Sequence, residues 1–120
     1  MGLFGKKGNP EAELAKALAR RGARGRATVV SMRETGNERD RVAKEIEFVL
    51  DLEVPERGTV RVTTNQYMNR FTLHGLAAGE PARVMYDRED PEKVMVEGHV
   101  RYRTDVVGGE IVVIEVEDVR

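Results

Sequence analysis

The sequence predicts a mainly β protein: a small antiparallel β-barrel or sandwich, OB-like, of six to seven strands behind one short N-terminal α-helix. Three observations predict it. Residues 45–54 alternate between acidic and apolar side chains, the pattern of a strand with one wet and one buried face. From Pro55 to Gly109, turn-forming residues recur between short β-branched runs, the spacing of small all-β folds. Helix start and stop signals bracket one short segment at residues 9–22.

The elements follow in order. Residues 1–9 are rich in Gly and Lys without periodicity and read as a flexible basic tail. Asn9 stands where an N-cap belongs, Pro10 at the first helical position, and Glu11 and Glu13 in the first turn. Residues 10–21 are then good helix formers, with Leu14 and Leu18 as a thin apolar stripe and Gly22 as the stop. So short a helix must dock to persist. Residues 25–120 read as a single β domain. Its first strand is expected at Ala27–Met32, with Thr35–Asp40 as a polar loop. Ile46, Phe48, Leu50 and Leu52 then share one strand face, with Glu45, Glu47, Asp51 and Glu53 opposite. Pro55-Glu56-Arg57-Gly58 turns the chain, and Val60 and Val62 point inward on the return. Residues 66–78 fit a helical turn or a strand equally well. Strands are expected at Arg83–Tyr86 and Val94–Val96, on either side of the polar turn 87–92, where Pro91 holds Asp90 extended. Finally, Val100–Val107 and Glu110–Val119 flank Gly108-Gly109, a two-residue hairpin signal.

Composition narrows the function classes. The chain of 120 residues has no cysteine, which removes disulfides and thiolate metal sites and suits a reducing compartment. No apolar run approaches the length of a membrane span, and the first residues lack a signal-peptide pattern, so a cytoplasmic location is expected. The net charge is only −1, but it is unevenly spread. Residues 1–44 hold 11 Lys/Arg against 5 Asp/Glu, and the remainder holds 9 against 16. A basic head on an acidic body can attract phosphate or anionic lipid, or dock onto its own body or a second copy.

Around the polar turn the chain resembles a known family. Gly79-Glu-Pro-Ala-Arg-Val-Met-Tyr-Asp-Arg-Glu-Asp-Pro-Glu-Lys-Val94 is similar to the strand-and-turn signature G-x(4)-V-x-Y-D-x-x-D-P-x-x-V of a bacterial small β domain of unknown function. Gly25-Arg-Ala-Thr-Val-Val-Ser31 is similar to that family's first strand, and the likeness spans roughly residues 22–97. The family's first proline in the signature is Arg88 here, and the transmembrane helices that often accompany the family have no counterpart. The resemblance implies a small β domain and no activity.

Each candidate chemistry has a plainer counterpart. Asp87, Glu89, Asp90 and Glu92 are acidic enough for a cation, but lack the ligand spacing of a Ca²⁺ loop. A solvated turn, with Asp90 capping its own backbone, explains them. His74 and His99 are the only histidines and have no ligand-type neighbour in sequence. Ser31 is the only serine and sits in a strand rather than a nucleophile elbow. No enzyme, cofactor or metal site is therefore expected. The strongest candidate is the basic head: Lys6, Lys7, Lys16, Arg20, Arg21, Arg24 and Arg26. It could grip a phosphate backbone, although Tyr67, Phe71, Tyr86 and Tyr102 do not form a base-stacking alternation. With Leu3 and Phe4 it could also rest peripherally on anionic membrane. The leading expectation is a non-enzymatic interaction module that binds another protein or its own copy. The alternative is a nucleic-acid-binding small barrel that uses the basic N-terminal arm.

Overall fold

The long amphipathic strand at residues 45–54 organises a five-stranded antiparallel sheet. The computed structural model describes residues 10–116. In chain order the elements are α1 (Pro10–Arg21), β1 (Ala23–Arg39), β2 (Ala43–Val54), β3 (Gly58–Asn69), α2 (Arg70–Leu73), β4 (Pro81–Tyr86), β5 (Val94–His99), β6 (Arg101–Val107) and β7 (Glu110–Val116). The first five strands lie in the order β3-β2-β1-β4-β5, and β6 and β7 form a separate two-stranded sheet. Asn9, Lys6, Lys7, Leu3 and Phe4 lie outside the described residues, as does the end of the last expected strand beyond Val116.

The alternation does what it predicts. Ile46, Phe48, Leu50 and Leu52 are buried and meet Val29, Val62, Val84 and Val94 in one core. The opposite face of β2 carries cross-strand ion pairs, Arg61 to Asp51 at 2.8 Å and Arg33 to Glu47 at 3.0 Å. Such exposed pairs set register more than they add stability.

The first strand departs from expectation. It runs to Arg39, so the polar stretch Thr35–Arg39 is strand rather than loop. Side chains explain this. Thr35 Oγ1 and Asn37 Nδ2 both donate to Glu45 on β2, and Lys44 pairs with Glu34. The register shifts between Glu34 and Glu38, and Gly36 at φ +101° absorbs that bulge. The ambiguous segment 66–78 divides. Its first four residues complete β3, and Asn69 then caps a single helical turn by accepting from the Thr72 amide at 2.9 Å.

The edges of the five-stranded sheet are covered. Gln66 of β3 is buried, donates to Val96 O and accepts from Val96 N of β5, both at 2.8 Å. The two outermost strands are thus joined by a side chain rather than a backbone ladder. Helix α1 lies over the same region. Leu18 is 2% exposed, and Glu11 accepts from the Tyr67 amide on the outer edge of β3 at 3.1 Å. Arg39 stacks 4.0 Å over the Tyr67 ring and reaches Glu11. The helix ends where Gly22 N–H bonds Leu18 O; a Cβ on Gly22 would lie 2.5 Å from that oxygen. Among the described residues no helix is long and apolar enough to cross a membrane.

Candidate interaction surface

A two-stranded ribbon has two faces and two edges, and a single core can bury only one of those faces. The sequence of β6 and β7 places apolar residues on both. The register pairs Tyr102 with Glu115, Thr104 with Val113 and Val106 with Ile111 on one face. Arg103 with Ile114, Asp105 with Val112 and Val107 with Glu110 occupy the other. Val112, Ile114 and Val116 are half-buried, whereas Ile111 is 76% exposed, Val113 68% and Val106 67%. Tyr102 and Val107 are exposed as well. Eight large apolar side chains of the described protein are exposed, and five of them sit on this hairpin. The patch is therefore a property of one element rather than the usual scatter.

The hairpin is held at its base. Val100 is buried, Arg83 Nε donates to His99 O at 2.9 Å, and Arg26 of β1 pairs with Glu115 of β7. Gly98, at φ +153°, leaves room for the Arg83 guanidinium, which a Cβ there would meet at 2.7 Å. Beyond this base β6 pairs with no strand other than β7, and every residue of β6 is exposed. The described molecule is long, 66 × 34 × 27 Å.

The described residues of the basic head are divided between two elements. Lys16, Arg20 and Arg21 lie on α1, and Arg24 and Arg26 on β1. Arg21 and Arg26 already face carboxylates: Arg21 meets Asp87 at 3.2 Å, and Arg26 meets Glu115. The acidic turn also has an internal purpose. Asp87, not Asp90, is its capping residue: it is buried and accepts from the amides of Glu89 at 2.9 Å and Asp90 at 3.3 Å. The Glu89 amide, then the Arg21 guanidinium, hold its carboxyl below the usual range. Asp90 instead points toward Lys93.

The fold brings the two histidines together, which their separation in sequence could not show. The rings of His74 and His99 meet edge to face, 6.2 Å between centroids. Gly75, at φ +86°, permits that approach, since a Cβ there would lie 2.6 Å from the His99 ring. No group of three or more His, Cys, Asp or Glu that could hold a metal occurs among the described residues. A hollow of about 750 Å³ lies between the β1–β2 turn and α2, with Val42, Met68, Phe71 and Leu73 in its lining.

Sequence reasoning missed the exposed hairpin surface, although a signal was present. Val106-Val107 and Ile111-Val112-Val113-Ile114 do not alternate, so both faces of that ribbon had to be apolar. No family model, curated protein or solved structure matches this chain.

Proposed function

We propose that this protein is a non-enzymatic interaction module whose contact surface is the β6–β7 hairpin, and that it associates with protein, its own copy first. One observation carries the reading: Tyr102, Val106, Ile111 and Val113 share the face of a projecting ribbon and stay exposed. Contiguous apolar surface of this kind marks contact sites. An isolated two-stranded hairpin is also marginal in water, so a ribbon of this kind gains order from a partner. The nucleic-acid alternative has less support, because Arg21 and Arg26 are engaged by carboxylates. The Gln66 bridge between β3 and β5 supports reading the five-stranded sheet as a small barrel sealed by side chains.

Sedimentation velocity across a wide protein concentration range tests the reading. The expected result is a mass that rises with concentration and stays monomeric in Ile111→Lys. A wild-type chain that is monomeric throughout, or a variant that associates like wild type, contradicts it. Labelled single-stranded DNA and RNA, titrated at low salt, address the alternative: saturable binding there favours the basic arm.

A further inference from the structure

The molecule treats its strand edges unequally. On β3 the Tyr67 amide is capped by Glu11, and β3 and β5 are joined through Gln66. The stretch of β1 beyond its pairing with β4 carries two register shifts and Gly36. All of these are ways of discouraging strand addition. The outer edge of β6 has one such cap, Asp105 accepting from the Val106 amide at 2.9 Å, and none of the others. It contains no proline, no lysine and no glycine, and its register with β7 runs without a bulge.

That edge is also self-complementary. Tyr-Arg-Thr-Asp-Val, residues 102–106, can meet an antiparallel copy of itself about a two-fold axis at Thr104. In that register Arg103 faces the partner's Asp105, and Asp105 faces the partner's Arg103. Tyr102 faces the partner's Val106, and Thr104 faces the partner's Thr104. Opposite charge, aromatic with β-branched, and Thr with Thr are the favourable cross-strand pairs. Residues directly opposite share a face, so the register also aligns the apolar faces of the two hairpins. Centring the axis on Arg103 or Asp105 instead sets like charges directly against each other. The edge of β7 offers no such choice, because its only charges are Glu110 and Glu115.

We infer that β6 pairs antiparallel with β6 of a second copy about a two-fold axis at Thr104, making a continuous four-stranded β7-β6-β6-β7 sheet. The inference rests on the hairpin being the contact surface, and names both the partner and the register. A four-stranded sheet with one apolar face meets the requirement that a lone hairpin does not. Its two-fold symmetry closes the assembly at a dimer.

A charge-reversal cycle tests it. Arg103 and Asp105 are both exposed, so substitutions there leave the core untouched. Arg103→Asp and Asp105→Arg alone each set like charges opposite one another twice in the dimer. Each is expected to weaken dimerisation roughly tenfold or more in sedimentation equilibrium. The double variant R103D/D105R restores opposite pairs and is expected to recover most of the wild-type dimer constant. Folding is checked by far-UV circular dichroism. A dimer that Ile111→Lys abolishes, but that both single reversals leave unchanged, overturns the β6 register while leaving the hairpin as the contact surface. A double variant as weak as the single ones also overturns it. A wild-type chain that stays monomeric overturns both.

Discussion

The side-chain amide of Gln66 makes two hydrogen bonds with one backbone residue, Val96, and so stands in for a strand that the sheet lacks. The Nε2 and Oε1 of a glutamine amide copy the donor and acceptor of a peptide unit. Both groups of Gln66 and both of Val96 are thereby satisfied where water is excluded. Replacing Gln66 with Leu keeps the volume but orphans the Val96 amide and carbonyl. The expected loss is about 2–4 kcal/mol, from two buried groups left unpaired. Urea unfolding of Q66L against wild type measures it. A loss below about 0.5 kcal/mol would mean that water replaces the bridge.

Gly25 and Tyr86 set a second expectation. A Cβ on Gly25 would lie 2.7 Å from the Tyr86 ring, which is itself buried. Gly25→Ala is therefore expected to destabilise by about 1–3 kcal/mol, the usual range for overpacking a core. The companion Tyr86→Leu opens the space that the methyl needs. The double variant should lose less than the sum of the two single ones, which thermal unfolding of all four proteins can read.

Three carboxylates predict the acid limb of stability. Asp87 is held low mainly by the Glu89 amide, Glu45 by the Thr35 hydroxyl and then Asn37, and Asp51 by the Arg61 guanidinium. Each has a folded-state pKa below its unfolded one. Their contribution is thus present above the ordinary carboxylate values, 3.8 for Asp and 4.5 for Glu, and is lost as pH falls through the lower folded values. Denaturant midpoints should hold between pH 7 and 5 and fall below about pH 4. Asp87→Asn should lower the midpoint at neutral pH, through a weaker bond from the Glu89 amide and loss of the Arg21 attraction, and flatten the fall in acid. An Asp87→Asn midpoint that falls in acid as steeply as wild type contradicts this assignment.

Local chemistry made much of the fold legible. The helix at 10–21, the acidic-apolar strand at 45–54, the Pro55–Gly58 turn and the Gly108-Gly109 hairpin all arise from signals within a few residues. What was not legible depends on distant partners. Thr35–Arg39 looks like loop by composition, and becomes strand because Glu45 lies opposite and accepts from both Thr35 and Asn37. Gln66 looks like an ordinary polar residue, and is buried because Val96, 30 residues later, turns its backbone toward it. The basic head was visible as charge, but its pairing with Asp87 and Glu115 was not. The approach of His74 to His99 likewise follows from topology alone.

The most direct test of the central claim is hydrogen exchange of the β6 amides, followed by NMR at two protein concentrations on either side of the dimer constant. Half of these amides point toward β7 and half toward the outer edge. The outward-pointing amides of Tyr102 and Thr104 should gain protection as concentration rises, while those of β7's outer edge stay fast. Outer-edge β6 amides that exchange rapidly and equally at both concentrations would contradict the hairpin as a strand-pairing surface.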